Sequence, residues 1–299
     1  MAEKELLDIG QLTLKKRDYS KSLLIIGGVL MALFFFIGVL DAIGGLETGL
    51  EWIDWVAIGL MAVCGPYGFY STYQFKKTRE IESRLPDFLR DVSEGGRFGM
   101  TLAESIKVSS RGRYGSLTPE IQRMAAQIDW GVPATDAIKL FIDRVDTPLV
   151  RRMTSIVIKA NDAGGNVADV LDMVAHDARE TLLNRNERSI AMSTYTVVIY
   201  VAFAVFLATI FILNSTFLPR MVEAGTQISE DAPDIGGVPV QVKADVVPQV
   251  QLIFIISVVI HAFGDGILAG VLQDGRLSNG FRHSFIMLVL GLIGTRVLG

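Results

Sequence analysis

The sequence predicts an all-α, polytopic membrane protein: about five transmembrane helices, with a cytoplasmic six-helix bundle between the second and the third. Three observations predict it. Half of the 299 residues are hydrophobic, yet they collect into long runs instead of spreading through the chain. The stretch between the second and third runs has helical periodicity almost throughout. Lys and Arg lie on alternate sides of the successive runs.

The elements follow in chain order. Residues 1–21 form a cytoplasmic N-terminal segment that holds Lys4, Lys15, Lys16, Arg17 and Lys21. Residues 22–73 contain two spans, Ser22 to Leu40 and Trp55 to Tyr73, each free of charge and close to the ~20 apolar residues that cross a bilayer. Ser22 to Leu40 follows some twenty polar residues and no A-x-A site succeeds it, so it reads as an anchor and not a signal peptide. The connection from Asp41 to Asp54 has acids and neither Lys nor Arg, which puts it outside. Residues 74–189 hold 18 Lys and Arg and form the cytoplasmic domain. Residues 190–299 supply three more spans: Ile190 to Leu213, Leu252 to Leu272 and Phe281 to Leu298. An acidic, Gly- and Pro-containing external loop at about 214–251 follows the first of them. Five spans leave the C-terminus outside, with Arg296 on the side where the charge rule does not expect it.

Within residues 74–189, apolar residues recur at i, i+3, i+4 and i+7: Leu85, Phe88, Leu89, Val92, then Ile138, Phe141, Ile142, Val145, and again Leu171, Val174, Ala175, Ala178. Each set is one buried face of an amphipathic helix. Thr101-x-x-Glu104 is a capping box, and Thr118-Pro119 and Thr147-Pro148 read as a Thr cap before a Pro at the first helical position. Six helices are expected, near 80–95, 101–111, 118–130, 133–145, 147–162 and from 166 into the third span. An echo runs through them: Gly99, Gly131 and Gly164 each precede an acid by five residues and an Ile or Leu by seven, with Gly165 beside the last. It fits a generic helix start, in which Gly ends one helix and the acid favours the next helix's positive end. It also fits a repeated hairpin that builds a docking surface.

The stretch Arg84-Leu-Pro-Asp-Phe-Leu-Arg-Asp-Val, followed by Gly99-Met-Thr-Leu-Ala-Glu-Ser-Ile, resembles the cytoplasmic domain of type II secretion F proteins, the membrane platforms of type IV pilus-like machines. Ala160-Asn-Asp-Ala-Gly-Gly-Asn-Val-Ala-Asp-Val-Leu and Phe263-Gly-Asp-Gly-Ile-Leu-Ala-Gly resemble the archaeal branch, which serves the archaellum and adhesion pili. That branch often carries two such domains per chain. This sequence has one, and so is similar to the C-terminal half of the larger proteins or to the platform proteins of tight-adherence pili. The resemblance implies a non-catalytic platform that couples a hexameric assembly ATPase to pilin or archaellin subunits. It implies pairing as a homodimer or with a second platform subunit. As a group, Arg90, Arg97, Arg111, Arg113, Arg151 and Arg152, with Glu104, are the candidate docking residues.

The residues carry little sign of chemistry. No P-loop, H-E-x-x-H or G-x-S-x-G pattern occurs, and His176, His261 and His283 are scattered, so neither a cofactor nor a metal is expected. The 17 acids of residues 74–189 balance its bases, which is no footprint for nucleic acid. Cys64, the one cysteine, excludes a disulfide framework. Asp265 stands inside a span, four residues after His261 on one helical face, and an ionisable group there is costly. An intramembrane enzyme resembling the aspartyl peptidases is the alternative reading, although Ala262 stands where their G-x-G-D motif has Gly. Gly266-x-x-x-Gly270 predicts close helix packing beside it.

Overall fold

The computed structural model describes residues 19–43, 51–231 and 247–297. The basic segment 1–18, residues 44–50 of the first expected connection and residues 232–246 of the second lie outside the described residues. Among the described residues the fold is helical without strands, and five helices are long and apolar enough to cross a membrane. The chain divides into two units, one built by Tyr73–Arg188 and the other by Tyr19–Thr72 with Ser189–Gly299.

The helices are α1 (Ser20–Ala42), α2 (Trp52–Arg97), α3 (Leu102–Ser109), α4 (Thr118–Asp129), α5 (Ala134–Val145), α6 (Pro148–Asp162), α7 (Val167–Ile212), α8 (Leu218–Asp231), α9 (Val247–Asp274) and α10 (Leu277–Val297). The helix expected near 80–95 does not start there. It is the second half of α2, because Gln74 to Ile81 contains no Pro or Gly and nothing in it interrupts the ladder. Likewise α7 is unbroken from Val167 through the third apolar run. The region expected as a loop from 214 is helical up to Asp231. A π-turn at Leu213–Phe217 lies directly ahead of Pro219, which has no N–H to give the ladder, and the helix changes register there.

The Tyr73–Arg188 unit buries the predicted stripes against one another. Leu85, Phe88, Leu89 and Val92 of α2 meet Phe141 of α5, Val150 and Met153 of α6, and Leu171 and Val174 of α7 in one core. Local signals set the helix starts. Thr101 Oγ1 accepts the N–H of Glu104, whose carboxylate accepts the N–H of Thr101 at 2.9 Å. Thr147 Oγ1 accepts the N–H of Val150. Thr118 does not cap. It lies inside α4, and its Oγ1 accepts the N–H of Tyr114 at 2.8 Å, which closes the tight 3-10 turn Gly115–Leu117 ahead of it.

Helix ends are equally local. Gly99, Gly131 and Gly164 have φ of +83°, +89° and +69°. In each case the next residue's N–H returns five residues: Met100 to the Gly95 carbonyl, Val132 to Gln127, Gly165 to Ala160. These are three copies of one left-handed helix stop. Gly165 has no such φ, and a methyl there would meet nothing closer than 3.7 Å. Gly131→Ala is therefore expected to lower the stability of the domain by about 1 kcal/mol, whereas Gly165→Ala changes it little. Thermal unfolding of the two variants in the full chain checks this.

At one end of the unit, Ser93 Oγ donates to the Ala168 carbonyl, Arg97 pairs with Asp172 at 2.8 Å, and Lys107 with Asp129 at 2.5 Å. These links gather the turns at Gly99, Gly131 and Gly164 at the end remote from Tyr73 and Arg188. Toward the other end, the buried Glu82 carboxylate accepts the Leu149 N–H at the start of α6 and pairs with Arg185 of α7 at 3.0 Å.

The second unit packs small residues against helices. Gly59 lets α1 approach through Met31 and Phe34, and Phe34 stacks on Trp55. Helices α9 and α10 form a hairpin so close that a Cβ on Gly266 would overlap the Ser284 backbone, and one on Gly270 the Gly280 backbone. Gly68 of α2 meets the backbone of Arg282 in the same way. Asn279, fully buried, accepts from Ser71 and donates to Asp274 at 2.8 Å. Arg296 is paired with the buried Asp54 of α2, so its position reflects a specific partner and not snorkelling.

Candidate functional site

Two places bear on function. The first is the end of the Tyr73–Arg188 unit formed by the three Gly turns. Helix stops of this kind put the preceding residue at the outside of the corner. In the first two copies that residue is aromatic, and both rings stand in solvent: Phe98 is 82% exposed and Trp130 89%. Met100, beside Phe98, is partly exposed. The third copy has Ala163 there. Val108, Met173 and Leu183 of the same unit are exposed as well, but Phe98 and Trp130 are the most exposed of its large apolar side chains, and both stand at a Gly stop.

The proposed docking residues are placed differently from one another. Arg90 pairs with Glu94 at 3.2 Å, Arg151 with Asp146 at 2.6 Å and Arg152 with Asp177 at 3.2 Å, and Arg97 with Asp172 as above. These are exposed pairs that neutralise one another locally. Glu104 is committed to the cap of α3. The Thr101 N–H and hydroxyl hold its carboxyl below the usual carboxylate range. Arg111 and Arg113 make no ion pair with any described residue, and they flank the turn before Tyr114. The Tyr114 ring packs edge-on against Phe88, and its hydroxyl donates to Asp91 at 2.5 Å. Burial, then that bond, pushes the phenol well above its ordinary range.

The second place is the middle of α9. His261 Nδ1 and Asp265 Oδ2 lie 3.5 Å apart, with the side chains 53% and 31% exposed. The His261 ring rests on Phe206 of α7 at 4.5 Å between centroids. Gly266 and Gly270 face away from this pair, into the α10 contact. Among the described residues the ionic neighbour of Asp265 is His261, not a second aspartate as a peptidase dyad needs. His283, which the sequence left scattered, is buried: Tyr200 Oη lies 2.8 Å from its Nδ1, and Arg282 3.1 Å from its Nε2. This network joins α7 to α10 and has no sequence signal, since its members lie 83 residues apart. No group of three or more His, Cys, Asp or Glu that could hold a metal occurs among the described residues.

Residues 88–214 match the family model of type II secretion system (T2SS), protein F. The match takes in most of the helical unit and the apolar half of α7. Proteins of that family are in general non-catalytic platforms of secretion and pilus-like machines. An uncharacterized protein of Methanocaldococcus jannaschii is 26% identical over 239 residues, which is 80% of this chain and 37% of the relative. The chain thus spans little more than a third of that relative's length. No solved structure matches it.

Proposed function

We propose that the protein is the membrane platform of a type IV pilus-like filament, of the archaellum, adhesion-pilus or secretion-pseudopilus kind, and that it passes force from a cytoplasmic hexameric ATPase to pilin or archaellin subunits held at its spans. The observation that carries this reading is the protein F domain at residues 88–214. In this reading the N-terminus and the Tyr73–Arg188 unit are cytoplasmic, the connections after α1 and α7 are external, and the C-terminus is outside. The platform works as a homodimer or beside a second platform subunit, in the plasma membrane. Two unbroken helices support the coupling: α2 and α7 run without a stop through residues 72–73 and 188–189. A continuous helix carries a push or a twist along its axis with little loss, because each turn is tied by its own hydrogen bonds.

The ATPase docks, on this proposal, at the corner end that displays Phe98 and Trp130. Large aromatics of this kind dominate protein interfaces. Beside Phe98, Arg97 supplies a rim contact whose partner, Asp172, can be exchanged. The test is binding of the purified full chain, in nanodiscs, to the assembly ATPase under apo, ADP and ATP-analogue conditions. The double variant Phe98→Ser/Trp130→Ser should bind at least tenfold more weakly, about 1.4 kcal/mol, with an unchanged melting temperature. Equal binding by the double variant would remove this docking end. No binding by the unaltered chain in any nucleotide state would remove the platform reading.

A further inference from the structure

We infer that the open face of α9 — Ile253, Ser257, His261, Gly264 and Leu268, with Asp265 at its edge — is the seat of a membrane-spanning helix from another protein, which brings an ammonium or guanidinium group to Asp265. The inference goes beyond the ATPase reading and does not depend on it. It rests on α9 crossing a membrane and on four physical points.

The first is cost. Asp265 lies nine residues before the end of α9 at Asp274, about 13 Å of helix rise, so it sits within the hydrocarbon. An ionisable group at that depth costs about 3 kcal/mol when lipid surrounds it. Buried neighbours do not absorb this cost here. Asp265 makes no hydrogen bond to a described residue, its contact with His261 is long at 3.5 Å, and both side chains reach the surface.

The second is contrast. The other broadly exposed faces of this unit are those expected of lipid contact. Helix α1 shows Ile25, Val29, Leu33 and Phe36, and α7 shows Val197, Val201 and Val205. The α9 face is the one among these that carries an ionisable pair at its centre.

The third is shape. A Cβ placed on Gly264 would meet no atom within 4 Å, unlike one on Gly266 two residues later. Gly264 therefore leaves an open notch on the outer face. A notch at a Gly one turn from polar groups is what a second helix needs to bring its backbone close. Within hydrocarbon the occupant has to be a helix, since its own backbone must be satisfied.

The fourth is charge, which selects the partner. A second copy of this chain lies in the same orientation in the membrane. A two-fold axis along the membrane normal would set Asp265 against Asp265 at equal depth, carboxylate facing carboxylate, which is repulsive. A foreign helix carrying a cation is complementary instead.

The test places a photo-crosslinking amino acid at Ile260 or Leu268, which flank the pair and are exposed, with Val197 as the lipid-facing reference, in the full chain in its native membranes. Irradiation should yield an adduct at Ile260 and Leu268 well above that at Val197. Sequencing of the adduct should place it in a span of a different protein, within one helical turn of a Lys, an Arg or a free amino terminus. Asp265→Leu should lower the yield at least fivefold without lowering the melting temperature, and Asp265→Glu should keep it. An adduct with this chain's own α9, an adduct in a span without a cation, a yield no greater than at Val197, or a yield indifferent to Asp265→Leu would each overturn the inference. None of these outcomes touches ATPase binding, so the two readings fail separately.

Discussion

Replacing Arg296 with Met is expected to destabilise the protein by about 3–5 kcal/mol, the cost of leaving a buried charge without its partner. Asp54 is almost fully buried, and its carboxylate has two tasks. It accepts the Glu51 N–H at 2.9 Å, which closes the first turn of α2 from the side of the helix dipole that favours an anion. It also takes both nitrogens of the Arg296 fork. Without Arg296 the carboxylate keeps the first task but loses the opposite charge that balances it. The reverse substitution, Asp54→Leu, should cost less, because Arg296 is about a third exposed and its guanidinium can turn toward the surface. The double variant Asp54→Leu/Arg296→Met should recover much of the loss, so the two changes are strongly non-additive. Detergent-denaturation curves of the four proteins measure this. A loss below 1 kcal/mol for Arg296→Met, or additive losses, would show that the pair does not hold α2 to α10.

The Asp54–Arg296 pair also shows where sequence reasoning stops. The two residues are 242 apart, and each looks like an isolated charge at a span end. In the orientation that the charge rule predicts, Arg296 stands on the disfavoured side, and the pairing gives it a partner there. Features that depend on a few neighbouring residues were legible: the apolar runs, the core stripes, the capping box at Thr101 and Glu104, and the Gly stops. Thr118 departs from the cap that the sequence predicts because two backbone N–H donors compete for its oxygen. A Thr before Pro can cap, or it can serve an upstream turn, and here the N–H of Tyr114 is nearer. The continuity of α2 through residue 80 was missed for a different reason. Charged residues just past an apolar run signal the end of the membrane, not the end of the helix. The acids with several Gly and Pro after 214 predict a loop, yet the chain is helical to Asp231: a single Gly fits within a helix, and a π-turn stands where Pro219 removes a donor. At the candidate sites, the spacing of His261 and Asp265 put them on one face, but their exposure depends on what the other helices cover. The same holds for Phe98 and Trp130, whose periodicity gives no hint that they stay outside the core.

Gly266→Leu is expected to prevent the α9–α10 hairpin from closing, while Gly264→Ala, two residues away, leaves the fold unaltered. The two glycines have opposite surroundings on one helix. At Gly266 an added Cβ overlaps the backbone and hydroxyl of Ser284, and Ser284 itself donates to the Phe263 carbonyl at 2.8 Å, so neither side can yield without breaking a bond in an apolar setting. Gly270 and Gly280 repeat the contact one turn further on, which makes the interface rigid over its length. Even Gly266→Ala should cost about 3 kcal/mol, at the upper end for overpacking, because the obstruction is backbone and not a flexible side chain. Gly264→Ala meets only open space. If Gly264 served the hairpin, its substitution would lower the melting temperature as Gly266→Ala does. If it serves an incoming helix, the melting temperature stays and the adducts at Ile260 and Leu268 diminish. Comparing the two variants by thermal unfolding and by crosslink yield separates the packing inside the hairpin from docking upon it. An unchanged melting temperature for Gly266→Ala would show that the hairpin is looser than its geometry requires.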